Sequence, residues 1–152
     1  MKQIATEAHK GIKRKFTKEA YINHPRRISE KFDNNLLKAV AWGHDTIEDT
    51  NENSALNVTP EYLLEQGIPK IVVDCILTIT KKDGENYFDF IMRIIKEDED
   101  YFDFISKDKA AYDASIYVKL EDLRDNMTDL KEGSMKDKYR LAEHILMLHL
   151  EL

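Results

Sequence analysis

Apolar residues recur at three- and four-residue intervals along most of the chain, and strict alternation is rare. That rhythm predicts helices almost throughout. Breakers are few, with 5 glycines and 3 prolines. Ile4, Ala8 and Ile12 share a face of a first helix over residues 2 to about 13. Residues 16 to 23 read as a connection. Pro25 suits a first helical position, with His24 held extended before it, and a short helix follows to about residue 31. Asp33 or Asn34 can cap the next helix, which carries Leu36, Leu37, Val40 and Ala41. Residues 51 to 57 are polar and read as a loop. Thr59-Pro60-Glu61 is a start signal, and Gly67 ends that helix. Pro69 opens a largely buried helix over 71 to about 80, followed by a turn at 81 to 84. Two long helices close the chain, at about 110 to 130 and 135 to 150, the last with Leu141, Ile145 and Leu148 as its stripe. The expected fold is all-α, a single-domain helical bundle over residues 1 to 152.

An echo stands between these elements. Tyr87-Phe88-Asp89-Phe90-Ile91 returns as Tyr101-Phe102-Asp103-Phe104-Ile105. It is too short for a repeat architecture. Two aromatic helix faces packing on the core are the simpler reading, and a stacking platform for a base is the alternative. The charge run from 96 to 100 reads as a solvated helix end.

Composition narrows the class. The chain has 42% hydrophobic and 34% charged residues, the profile of a globular protein. Its formal charge of −6 argues against a nucleic-acid polymer as partner. A phosphate-bearing small ligand is still compatible, because a bound cation and a few local bases can make a positive pocket. The single cysteine, Cys75, lies in an apolar run and reads as a buried, inert thiol. No segment has the apolar length of a membrane span, and residues 1 to 5 carry no signal-peptide core. The expected location is the cytoplasm. Oligomeric state is not legible.

The densest chemistry is Trp42-Gly43-His44-Asp45-Thr46-Ile47-Glu48-Asp49-Thr50. On one continuous helix, His44/Glu48 and Asp45/Asp49 would form two adjacent stacked pairs. Imidazole and carboxylate ligate divalent metals, and a second carboxylate tier could handle water. A solvated acidic helix end is the alternative. In a second stretch, Lys119, Asp122 and Asn126 share a helix face, while Leu120, Leu123 and Met127 face the core. A salt-bridged surface or a further metal ligand both fit that face.

Together these stretches resemble the HD-domain metal-dependent phosphohydrolases. More narrowly, they are similar to the hydrolase domain of the RelA/SpoT enzymes and its small stand-alone relatives. Those remove the 3′-pyrophosphate from guanosine tetra- and pentaphosphate. Ala8-His9-Lys10-Gly11-Ile12-Lys13-Arg14-Lys15 resembles the family's first helix. Tyr21-Ile22-Asn23-His24-Pro25 matches its Tyr-Ile-x-His-Pro. His44-Asp45-Thr46-Ile47-Glu48-Asp49-Thr50 matches its His-Asp-x-x-Glu-Asp-Thr. Lys119-Leu120-Glu121-Asp122, with Asn126 and Met127, matches its Lys-Leu-x-Asp and Asn-Met. Four motifs stand in order over roughly residues 5 to 130.

The resemblance implies an HD fold and a catalytic divalent metal, manganese first among the candidates. It implies His24, His44, Asp45 and Asp122 as ligands, and Glu48 and Asp49 as the pair that positions or activates water. Arg14 would meet substrate phosphates, and Lys119 and Asn126 would lie on the substrate side. The implied substrate is a small nucleotide, guanosine 3′,5′-bis(diphosphate) before a deoxynucleotide or a phosphorylated dinucleotide; a non-catalytic nucleotide-binding protein is the reading from another class. Simpler roles stand beside these: a helix cap for His24, a solvated basic face for Arg14, packing for His9, ordinary helix positions for His144 and His149. The chain departs from the pattern twice. Phe16-Thr17-Lys18-Glu19-Ala20 replaces the usual Gly-x-Pro, and Asp122-Leu123-Arg124-Asp125-Asn126 moves an arginine by one position. Asp125 stands where many relatives carry histidine and is expected to be neutral to function.

Overall fold

Caps set the helix starts in a computed structural model that describes residues 1–48, 56–104 and 113–151. Asn34 Oδ1 accepts from Leu36 N at 2.8 Å and Leu37 N at 3.2 Å, and so starts a helix at Asn35. Thr59 Oγ1 does the same for Tyr62 N at 3.1 Å, with Pro60 as the first helical residue. Such caps each contribute about 1 kcal/mol by satisfying backbone donors that have no helical partner. The named helices are α1 (Lys2–Ala8), α2 (Asn23–Ser29), α3 (Asn35–Gly43), α4 (Pro60–Glu65), α5 (Lys70–Ile79), α6 (Tyr87–Phe104), α7 (Ala114–Asp129) and α8 (Ser134–Glu151). Residues 46–48 are also helical. Among the described residues there is no strand, only an isolated antiparallel bridge between Lys13 and Ala20. The fold is all-α.

One apolar cluster ties the helices together. Val72, Val73, Cys75, Ile76 and Ile79 of α5 meet Ile116, Val118, Leu120 and Leu123 of α7. Phe90, Ile91 and Ile94 of α6, Val40 and Ala41 of α3, Ile28 of α2 and Leu146 of α8 complete it. Within this arrangement α2, α3 and α7 pack on one another, which brings three separate stretches of sequence to one place. No described helix is long and apolar enough to cross a membrane.

Several elements differ from the pattern-based expectation. α1 ends at Ala8 rather than near residue 13, because the chain turns at His9 and Gly11 takes φ +80°, where a side chain would be strained. α2 starts at Asn23, so His24 is helical and buried rather than extended. Pro25 is then the third helical residue, still within the first turn, where a missing N–H removes no helical bond. α6 is one helix from Tyr87 to Phe104, so the charge run at 96 to 100 lies inside it rather than at an end. Both halves of the aromatic echo fall on it. In the first half Phe90 and Ile91 are core residues, while Phe88 faces out. The side chains of the second half, 101 to 105, lie outside the described residues.

On α8 the buried face is shifted by one position. Ala142 and Leu146 are buried, while Leu141 and Leu148 are 56% and 47% exposed. Tyr139 stacks on Tyr87 of α6, with ring centroids 5.6 Å apart, and this contact helps set the helix's rotation. Helical period alone admits either stripe.

Gly43 closes α3 where it crosses α5. A Cβ there would run into Ile76 Cδ1 and lie 2.6 Å from the terminal methyl of Met1. Ile76 is fully buried, so it has little room to retreat. Gly43→Val is predicted to overpack this crossing and destabilise the fold by about 1–3 kcal/mol. A lowered midpoint in urea unfolding with an unchanged slope is the expected result.

Candidate metal centre

The stretch from Trp42 to Glu48 is not one helix. α3 ends at Gly43, the chain turns at His44 and Asp45, and helical geometry resumes at Thr46. Side chains close the α3 end: Thr46 Oγ1–H donates to Gly43 O at 2.8 Å, and His44 Nδ1–H donates to Ala41 O at 2.8 Å. The expected stacked tiers therefore do not form on one helix. Neighbours on a helix diverge by about 100°, yet here His44 and Asp45 turn to the same point, with Nε2 and Oδ2 2.9 Å apart.

Two other helices reach that point. His24 comes from the first turn of α2, and Asp122 from the middle of α7. His24 Nε2 lies 3.1 Å from His44 Nε2, 3.1 Å from Asp122 Oδ1 and 3.5 Å from Asp45 Oδ2. His44 Nε2 is 3.6 Å from Asp122 Oδ1. Donors at right angles around a metal, each about 2.1 Å from it, stand about 3 Å from one another. The cluster has that spacing. The structure thus brings together all four residues that the resemblance implies as ligands, and the buried group His24, His44 and Asp122 could hold a metal ion.

The tautomers fit the same role. His44 Nδ1 faces a carbonyl, and His24 Nδ1 faces the Asp125 carboxylate at 2.7 Å; both partners only accept. Each Nδ1 must donate, so in the neutral rings each Nε2 offers a lone pair. Two lone pairs and two carboxylate oxygens then share one small volume. That arrangement calls for a cation or for protons. Burial works against charging His44, but Asp45's charge and bonds to Asp122 and Asp45 outweigh it and raise its pKa to about 9. His24 is likewise pushed well above its ordinary range: burial opposes this, and bonds to Asp122, Asp125 and Asp45 prevail. Asp122, whose burial would raise it, is held well below the carboxylate range by Lys119 and by both imidazoles.

Further residues brace the cluster. Tyr21 O–H donates to Asp45 Oδ2 at 2.6 Å. His9, buried as expected, stacks on Tyr21 with ring centroids 4.8 Å apart and donates from Nδ1 to Ala5 O. Lys119 Nζ donates to Asp122 Oδ2 at 2.7 Å, and Asn126 Nδ2 donates to Asp122 Oδ1 at 2.6 Å. Arg14 is buried and committed to acids and an amide: Asp125 at 2.5 Å, Asp129 at 2.6 Å and Asn126 at 2.9 Å. A solvated basic face does not describe it. Glu48 stands apart from the ligands. It reaches the surface, and its Oε2 accepts from Lys81 N at 3.2 Å. Partial desolvation, then the charge of Asp45, raises its pKa. Asp49 lies outside the described residues.

Sequence reasoning gave Asp125 no contact with the cluster. Expected to be neutral, it bonds His24, Arg14 and Arg27. Arg27 and Tyr21 were not singled out. A signal existed for two of these: Asp125 lies three residues after Asp122, and Arg27 three after His24, and on a helix such neighbours share a face.

No protein-family profile matches the chain, and no curated protein matches it.

His24 and His44, both raised, make the folded state lose stability as pH rises, and His44 marks the window. Its folded pKa of about 9 exceeds the ordinary 6.5, so the folded state binds more protons across that window. The stabilisation is complete below about pH 6.5 and is lost as pH rises toward 9, at up to about 1.4 kcal/mol per pH unit. The amino terminus of Met1, lowered by burial, works in the opposite sense. Metal-free protein is predicted to melt at falling temperature from pH 7 to 9, less steeply in His44→Gln, which keeps Met1's contribution. Equal slopes would contradict the account.

Proposed function

We propose that this protein is an HD-type phosphohydrolase that uses a divalent metal, manganese first, to cut a pyrophosphate or phosphoester bond of a small nucleotide. The observation that carries the reading is one of convergence. Residues from three of the four motif stretches, far apart in sequence, meet as a set of N and O donors at ligand spacing. The motifs themselves supply the reaction class.

When bound, a divalent ion at such a site supplies a Lewis acid and lowers the pKa of a coordinated water. The protein's own contributions follow from its side chains. Asp45 and Asp122 balance the charge of a dication. His24 and His44 complete a partial shell without adding charge. Glu48, outside the ligand cluster and with its pKa raised, is suited to take a proton from the attacking water. Asp49 is assigned to the same task on its place in the motif alone. Lys119 and Asn126 hold Asp122 from two sides, and Asn126 also borders a small cavity of about 150 Å³ lined by Arg14, Phe16, Tyr21 and Tyr139.

Guanosine 3′,5′-bis(diphosphate) is the first candidate substrate. A second reading, hydrolysis of another nucleotide, draws support from Arg14. Its guanidinium is engaged by Asp125, Asp129 and Asn126, which competes with a phosphate for the same donors. The Phe16–Ala20 segment, with Lys18 at φ 62°, also departs from the family's pattern on that side.

The test is a nucleotide panel, with and without manganese, run beside Asp45→Ala. Manganese-dependent release of pyrophosphate from the guanosine tetraphosphate, abolished in Asp45→Ala, is expected. Turnover confined to a deoxynucleotide or a phosphorylated dinucleotide would move the substrate to the second reading. Binding without turnover of any member, under several metals, would overturn the hydrolase.

A further inference from the structure

His24 and His44 look alike as ligands, but the protein holds them differently. His44 Nδ1 meets a neutral carbonyl, Ala41 O. His24 Nδ1 meets a carboxylate, Asp125 Oδ2. That carboxylate is itself gripped. Arg27 binds it through two nitrogens, Nε to Oδ1 at 2.6 Å and Nη2 to Oδ2 at 2.9 Å, the fork geometry that suits a carboxylate. Arg14 Nη1 adds a third donor to Oδ2 at 2.5 Å. Glu19 holds Arg27 in turn, at 2.8 Å and 3.1 Å. Donors therefore reach both oxygens of Asp125 and hold it against His24.

Two consequences follow for His24. A carboxylate set among such donors only accepts, so Nδ1 carries the ring proton, and in the neutral ring Nε2 faces Asp45, His44 and Asp122 as a lone pair. A carboxylate behind an imidazole also raises its basicity more than a carbonyl does, which strengthens it as a ligand. We propose that Asp125, clamped by Arg27 and Arg14, is a positioning residue that fixes the tautomer of His24 and makes it the stronger of the two imidazole ligands. This inference rests on the metal-centre reading above. Within that reading it gives a task to a residue that the family motifs leave unassigned.

The test is metal affinity rather than turnover. Chelator-stripped wild type and Asp125→Asn are titrated with manganese, their folding checked by circular dichroism. Arg124→Ala, next to Asp125 on α7, which breaks surface ion pairs to Glu121 of α7 and Glu143 of α8, is the control. Asparagine keeps one acceptor oxygen for His24 but removes the carboxylate charge and sets an amide NH2 against Arg27 Nε, so the hold on His24 weakens. Asp125→Asn is expected to bind manganese roughly 10–100-fold more weakly, and Arg124→Ala as wild type. Unchanged affinity in a folded Asp125→Asn would overturn the proposal while leaving the metal centre standing. Wild type that binds neither manganese nor zinc would overturn both. A second readout needs no variant. In zinc-loaded, nitrogen-15-labelled wild type, His24 is expected to carry its proton on Nδ1, with a resonance downfield of that of His44. A proton on Nε2 of His24, or one no further downfield than the carbonyl-bonded His44, would refute the assignment.

Discussion

Two carboxylates and two imidazole nitrogens point into one small, buried volume, and the arrangement around them follows from satisfying that concentration of acceptors. Without a cation, protons on the imidazoles relieve it, and the raised pKa values of His24 and His44 express this. Neighbouring donors bond the carboxylates in and behind the cluster. Lys119 and Asn126 bond Asp122, Tyr21 bonds Asp45, and Arg14 and Arg27 bond Asp125. These bonds fix where the acceptor atoms point. They also explain why three helices from distant parts of the chain must pack together here.

The fold serves this constraint through local breaks in regular structure. α3 stops at Gly43, which lets His44 and Asp45 turn to one point instead of diverging. Gly43 itself is required by the close approach of Ile76. α2 starts early enough to make His24 a helical residue, which aims it at α7. The apolar cluster beneath, from α5 to Leu120 and Leu123 of α7, holds the three helices at the distance these contacts need.

Much of this was legible in the sequence. Asn34 and Thr59 announce their helices because a cap acts over two or three residues, within reach of local reading. His24, His44, Asp45 and Asp122, which meet in the fold, stood out in the sequence because they lie in the motif stretches. Other features depend on partners far away in sequence. The face of α8 is chosen by packing on α6 and α7, so Ala142 and Leu146 went inside where period alone allowed Leu141 and Leu148. Asp125 looked neutral because its meaning comes from His24 and Arg27, about a hundred residues earlier. Arg14 was read as a phosphate contact or as part of a solvated basic run, and folding gives it carboxylates as partners. Residues that bond across helices are where sequence reading falls short, since spacing carries no signal of a distant partner.

The most direct test of the central claim is a crystal structure of the protein grown with manganese, with anomalous diffraction recorded for that ion. The account predicts one strong peak at about 2.1–2.2 Å from His24 Nε2, His44 Nε2 and oxygens of Asp45 and Asp122. Crystals saturated with manganese that show no peak among these four residues would contradict it.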